Sequence, residues 1–264
     1  MIHIDAFDRY HHGHSQLHRL DPRIKVVVVV VYIASNAVLP EGAWIAFGMG
    51  WLLLLLANHL SDLGIGFTLQ RSFIALPFAL AAVTVLFLPQ GEPLMSVPLA
   101  GRELVVTDAG LIRFGSIVAR SWLSVQAAIL LVSVTQFPDL IHAFEHLRVP
   151  RVLTTVVAFL YRYLFVLTDE MLRLLRARQA RSAATVGRKA GGSMGWRARV
   201  AGNMAGQLFL RSYERSERIY NAMLARGYTG NIRTLHPHHA HAGDWFFAAV
   251  ALSLIVILQW LGRG

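Results

Sequence analysis

Ile24-Lys-Val-Val-Val-Val-Val-Val-Tyr-Ile-Ala-Ser-Asn-Ala-Val-Leu39 contains the unbroken valine run Val26 to Val31. It approaches the roughly 20 residues a helix needs to cross about 30 Å of hydrocarbon. Three further runs have the same character: Ala43 to Ala57, with Trp51 followed by five leucines, Phe73 to Leu88, and Trp245 to Trp260. The third contains Pro77, which a membrane helix tolerates when neighbours satisfy the freed carbonyl. The last has tryptophan at both ends, as interfacial belts favour. With 55% hydrophobic and only 15% charged residues, the chain is too apolar for a soluble domain of 264 residues. The expected class is an all-α integral membrane protein.

Phe114 to Thr135 is a fifth span, with Arg120 in its first half and Arg113 just before it. An arginine inside a span faces protein or water, so this helix belongs inside the bundle. The polar N-terminus, with His3, His11, His12, His14 and His18 before any apolar run, is no cleavable signal. No cysteine is present, which excludes disulfides, thiolate ligands and thiol nucleophiles.

Charge sets the topology. The net charge is +10, and 13 of the 25 Lys and Arg residues fall between Arg173 and Arg233. In a membrane protein such a bias marks cytoplasmic segments rather than nucleic-acid binding. With Arg9, Arg19, Arg23 and Lys25 inside, four crossings return Thr135 to the cytoplasm. Val152 to Leu167 is apolar enough to span, but a crossing there would carry the basic stretch outside. The reading is therefore a helix inclined at, or part-way into, the cytoplasmic leaflet. Five spans and three regions result: a four-span bundle over 1–150, the inclined and cytoplasmic helices over 151–244, and the last span over 245–264.

The cytoplasmic region reads as two long amphipathic helices joined by a Gly-rich connection, Gly187 to Gly195, with Arg188, Lys189 and Trp196 around it. On the first, Met171, Leu174 and Leu175 trace one apolar face until Arg178 interrupts it. On the second, Glu214 and Arg218 are an i, i+4 pair, and Tyr220, Met223 and Leu224 form an apolar stripe. Gly227 suits the left-handed residue that ends a helix, with Arg226 in the last turn. Taken alone, the pattern of the first helix describes a basic amphipathic helix on anionic lipid.

Leu17-His-Arg-Leu-Asp-Pro-Arg-Ile-Lys25, Pro138-Asp-Leu-Ile-His-Ala-Phe144, Ala180-Arg181-Ser182 and Arg215-Ser-Glu-Arg-Ile-Tyr-Asn-Ala-Met-Leu-Ala-Arg-Gly-Tyr228 resemble the signature segments of the transmembrane (T) components of energy-coupling-factor (ECF) transporters. The resemblance covers nearly the whole chain and is nearest to the cobalt-type CbiQ branch. It implies that Ala180-Arg181-Ser182 and Ala225-Arg226-Gly227 close two coupling helices, whose arginines dock into two ABC-type ATPases. It also implies a separate substrate-binding membrane (S) subunit, cobalt or nickel as cargo, and a bacterial inner-membrane location. The chain would need no cofactor and hold neither catalytic nor metal site. Consistent with this, it has no G-x-x-x-x-G-K-[ST] phosphate cradle.

Two competing chemistries remain. His142-Ala-Phe-Glu-His146 matches the H-x-x-E-H pattern of a class of zinc peptidases, with His142 and His146 on one helical face and Glu145 as general base. The bland reading is a surface histidine pair on an amphipathic elbow. His236-Pro-His-His-Ala-His241 and the N-terminal histidines suit Co(II), Ni(II) or Zn(II), as in a metal-binding or channel protein acting alone. A solvated loop without fixed ligand geometry is the simpler reading.

Overall fold

The structure, a computed structural model, describes residues 10, 11, 13, 15–87, 93–99, 102–181, 193–230 and 241–263. It is helical and divides into two compact units, 1–147 with 237–264, and 148–236. In the first unit the short turn α1 (Gln16–Arg19) precedes α2 (Pro22–Val38), α3 (Trp44–Leu60), α4 (Ile65–Ser72), α5 (Leu76–Ala82), α6 (Asp108–Val134), α7 (Phe137–His146) and α10 (Ala242–Arg263). Asp21 caps α2 by accepting the Arg23 amide at 2.8 Å, and Pro22 fills the first turn, where its missing N–H is no loss.

Among the described residues three helices are long and apolar enough to cross a bilayer by length and composition: α6, Ala242–Arg263 and, in the second unit, α8 (Arg151–Arg181). The segments Gly66–Ala75 and Ala79–Phe87 together make a fourth, bent by 48°. At 17 residues each, α2 and α3 span about 26 Å at 1.5 Å per residue, just short of the hydrocarbon core. The bend sits where Pro77 was noted. Proline offers no amide to the preceding turn and its ring crowds the carbonyl four residues back, Phe73. The chain accordingly tightens to a 3₁₀ turn at Phe73–Ala75 and restarts as α5 with Pro77 in its first turn.

The helical reading leaves out one element, an antiparallel hairpin of β1 (Pro93–Leu99) and β2 (Arg102–Thr107). It lies between α5 and α6, and Thr107 ends it by capping α6 through a hydrogen bond from the Gly110 amide at 3.1 Å.

Side chains in this unit are arranged inside out relative to a soluble bundle. Ile45 is 73% exposed, Phe246 73% and Trp260 76%, whereas Asn36, Asn58, Ser116 and Gln126 are buried. Large apolar side chains facing outward around a bundle with a polar interior suit an apolar solvent. A dry cluster of Tyr32, Leu39, Phe47, Leu54, Leu123 and Leu258 joins α2, α3, α6 and α10. Polar bonds pin it: the Tyr32 hydroxyl donates to the Gly50 carbonyl at 3.0 Å, and Asn36 Nδ2 donates to the Arg120 carbonyl at 2.9 Å and Ser124 Oγ at 3.0 Å. Arg120 lies within the bundle, its guanidinium donating to the Leu39 carbonyl just past the C-terminus of α2. A cation there suits the negative end of the helix dipole.

Contacts at the two ends of α2 give the helix directions. Lys25, 6% exposed, donates from Nζ to the Val134 carbonyl at 3.3 Å, at the end of α6, and to the His18 carbonyl at 3.0 Å. The carboxylates of Asp139 on α7, Asp21 and Asp244 on α10 act electrostatically on the same ammonium. At the other end, Gln259 of α10 donates to the Ser35 carbonyl, and Gly262 abuts Leu39 and Ala46. Thus α10 runs parallel to α2 and α6 antiparallel. The chain leaves α6 and enters α10 at the same end of the bundle. The His11 amide donates to the Ser133 carbonyl at 3.0 Å at that end, and burial pushes the His18 imidazole below its ordinary value.

Lys25→Met should lower the unfolding free energy of the detergent-purified chain by about 2 kcal/mol, because it removes the donor that the His18 and Val134 carbonyls accept. A denaturant titration checks this; an unchanged midpoint would remove Lys25 from the account.

Candidate functional site: the paired long helices

The second unit is built from α8 and α9 (Met194–Ala225), of 31 and 32 residues. The apolar first half of α8 is open: Val152 is 73% exposed, Val156 55% and Leu160 63%, and within the whole helix only Thr154 is buried. It continues without a break through Asp169 and Glu170 into the basic half. The Gly-rich connection is shorter than expected at its far end, since Gly195 and Trp196 are already helical. Ser193 is the reason: its hydroxyl accepts the Trp196 amide at 3.3 Å, fixing the start of α9. Residues 187–192, with Arg188 and Lys189, lie outside the described residues.

The two helices pair antiparallel. Glu170 near the middle of α8 takes the Arg211 guanidinium of α9 and stands 4.0 Å from Arg173. Nothing in the sequence spacing indicates this pair, because 41 residues separate its members. On one side of it the first half of α8 and the second half of α9 enclose an apolar cleft of about 720 Å³, lined by Phe159, Tyr163, Tyr213, Tyr220 and Met223. On the other side a second cleft, about 640 Å³, carries Arg173, Arg178, Arg181 and Arg211.

The arginines of the two motifs separate to opposite ends of this pair. Arg181 is the final residue of α8, exposed, and shares the second cleft with Trp196; Ser182 lies outside the described residues. From Trp196 to Arg226 is 226 − 196 = 30 residues, about 45 Å at 1.5 Å per residue. Ala225 ends α9, Arg226 caps it, and Gly227 takes the left-handed backbone at φ +80°. The Gly227 amide donates to Leu224 at 2.9 Å and the Tyr228 amide to Met223 at 3.0 Å, which satisfies two terminal carbonyls and closes the helix. Arg226 is thereby held, exposed, at the negative end of the dipole.

The H-x-x-E-H segment occupies the end of α7. His142 and His146 meet edge to face with ring centroids 4.7 Å apart, and the Glu145 carboxylate is 3.8 Å from His142 Nδ1. His146 Nδ1–H donates to the His142 carbonyl at 3.1 Å. Among the described residues no cluster of three or more potential ligands forms. Of the second histidine tract only His241 is described. Its amide donates to Asp244 Oδ2 at 2.8 Å, as a cap for α10, and His236, His238 and His239 lie outside the described residues.

The sequence pattern of the CbiQ family, described as a cobalt transport protein, matches residues 13–237. The chain belongs to the CbiQ family. A protein of Lacticaseibacillus paracasei named energy-coupling factor transporter transmembrane protein EcfT is 30% identical over 270 residues, covering 96% of this chain and 97% of its own length. An uncharacterised protein of Methanocaldococcus jannaschii is 27% identical over 262 residues, covering 98% of this chain and 87% of its own. The cobalt transport protein CbiQ of Salmonella typhimurium is 29% identical over 115 residues, 41% of this chain and 51% of its own. This CbiQ-family chain is a multi-pass T component of an ECF transporter and not an enzyme. The zinc-hydrolase reading of His142, Glu145 and His146 is corrected accordingly: a short pattern on an amphipathic elbow matches a motif without belonging to its family.

Gly227→Ala places a β-carbon on a left-handed backbone, at about 1 kcal/mol. The Tyr228 amide should then exchange roughly 5-fold faster in deuterium exchange, as the last turn frays and Arg226 loses its fixed position.

Proposed function

We propose that this chain is the mechanical link of a cobalt or nickel importer in the bacterial cytoplasmic membrane. It passes ATP-driven motion from two ABC-type ATPases to a substrate-binding membrane subunit. The observation that carries the reading is the placement of Arg181 and Arg226, exposed at opposite ends of one antiparallel helix pair. One chain thereby offers a separate arginine to each of two ATPase copies. Ala180 and Ser182, and Ala225 and Gly227, are the small residues that let a partner surface approach each arginine. Arginine suits such a dock because its planar fork makes several hydrogen bonds and stays charged. The open apolar face of α8, from Arg151 onward, is the surface offered to the substrate-binding subunit. The cobalt assignment draws on the family description and on the Salmonella relative.

For topology we infer five crossings, formed by α2, α3, the bent α4–α5 segment, α6 and α10, with residues 151–244 cytoplasmic between a 1–150 bundle and the 245–264 span. Exit from α6 and entry to α10 at one end of the bundle support this, because a lone crossing by α8 would bring the chain back at the opposite end. The 13 Lys and Arg between Arg173 and Arg233 support a cytoplasmic position for that end. Coupling further requires that the partners bind two states of the helices with different free energies.

Arg181→Ala or Arg226→Ala should weaken ATPase association by roughly 30-fold to several thousand-fold, matching the 2–5 kcal/mol of a truncated buried charge contact. Arg188→Ala should do little. Co-purification and uptake by the double variant at wild-type levels would end the docking reading.

Single cysteines introduced at Gly192 and Gly264 should react with impermeant thiol reagents from the cytoplasmic and external faces respectively. External reactivity at Gly192 would make Val152 to Leu167 a full crossing.

A further inference from the structure

The cleft that holds Arg181 differs from its neighbour in kind. Four arginines, Arg173, Arg178, Arg181 and Arg211, face a single carboxylate, Glu170, which is engaged by Arg211 and lies 4.0 Å from Arg173. The formal balance is 4 − 1 = +3. The apolar cleft on the other side of the same helix pair has only Arg215 among its lining. An excess of positive charge along a cleft favours an anionic occupant.

The walls are not uniformly polar. Leu174, Val200 and Met204 line the same cleft, and Trp196 joins Arg181 in it. Indole favours the boundary between hydrocarbon and headgroups. Along α8 the composition changes from apolar to basic between Leu167 and Arg173, about 9 Å of helix. A phospholipid changes from acyl chain to phosphate over a comparable distance. About 640 Å³ holds a headgroup with the first carbons of its chains.

We propose that this cleft binds an anionic phospholipid, with Arg173 and Arg178 on the phosphate and the Leu174–Met204–Trp196 side against the glycerol and first methylenes, while Arg181 at the end of the cleft is left to the ATPase dock. The proposal rests on the reading that places α8 and α9 at the cytoplasmic face of the membrane. A nucleotide could stack on Trp196 but would leave Leu174, Val200 and Met204 uncovered, and so would an acidic protein segment, whereas acyl methylenes cover them. Bound there, the lipid would bridge the two helices on the far side of the Glu170–Arg211 pair and tie their relative position to leaflet composition.

The test uses the purified full-length chain in uncharged detergent and fluorescent phosphatidylglycerol or phosphatidylcholine. Phosphatidylglycerol should bind preferentially. Arg173→Gln with Arg178→Gln should weaken it roughly 30-fold, about 5-fold per arginine. Arg173→Lys with Arg178→Lys should stay within a few-fold of wild type and guards against a folding defect. Arg19→Gln with Arg148→Gln, the same charge change at exposed sites elsewhere, should leave binding within about 2-fold. Equal binding of the two lipids, or equal losses in the two glutamine doubles, would overturn the proposal. Competition by glycerol 3-phosphate as effective as that by phosphatidylglycerol would make the cleft a soluble-phosphate site instead. ATPase co-purification on the same preparations separates the two readings. Loss of the ATPases with lipid preference intact in the Arg173/Arg178 double assigns the cleft to protein, whereas failure of docking at Arg226 alone touches only the coupling reading.

Discussion

The Lys25 ammonium, nearly sealed from solvent, donates to carbonyls at the end of α6 and in the N-terminal segment, with Asp21, Asp139 and Asp244 supplying the opposing charge. A buried ammonium is tolerated only where its N–H groups find acceptors. That requirement ties the start of α2 to the end of α6 at one end of the bundle. The position of that end relative to the α6 exit and the α10 entry then governs how the intervening chain can be threaded.

Around this node the bundle follows membrane rather than aqueous logic. Buried asparagine, serine and glutamine side chains lie between helices, while leucine, isoleucine and tryptophan cover the outside. In hydrocarbon an apolar side chain gains nothing by turning inward, so packing and interhelical hydrogen bonds carry specificity. Tyr32 against Gly50 shows how close the approach is: a β-carbon at Gly50 would stand 2.9 Å from the tyrosine hydroxyl. Arg120 obeys the same rule by spending its charge on the carbonyl that follows α2.

The second unit solves a different problem, which is to present defined groups far apart on little protein. Two helices of more than thirty residues, pinned by Glu170 and Arg211, hold Arg181 and Arg226 at opposite ends of the pair. Neither helix buries much of itself, so their apolar and basic faces remain available as surfaces. The helix ends are fixed locally, by Ser193 at the start of α9 and by Gly227 at its close.

Sequence alone determined the membrane class, the positions of the apolar helices, the two long amphipathic helices and the left-handed glycine after Arg226. Each rests on hydropathy, periodicity or a single residue's backbone preference, all of which are local. It also determined the family, because the arginine motifs and the Leu-Asp-Pro-Arg-Ile-Lys25 segment are contiguous. Residues distant in sequence met only in the tertiary structure. Lys25 reaches Val134 across 109 positions and Glu170 reaches Arg211 across 41. The hairpin at Pro93–Thr107 and the early start of α9 were likewise invisible to composition, since cross-strand pairing and a cap's hydrogen bond depend on geometry. The division of the basic helix pair into one apolar and one cationic cleft was decided there too, because a cleft belongs to two surfaces and no single stretch of sequence contains both.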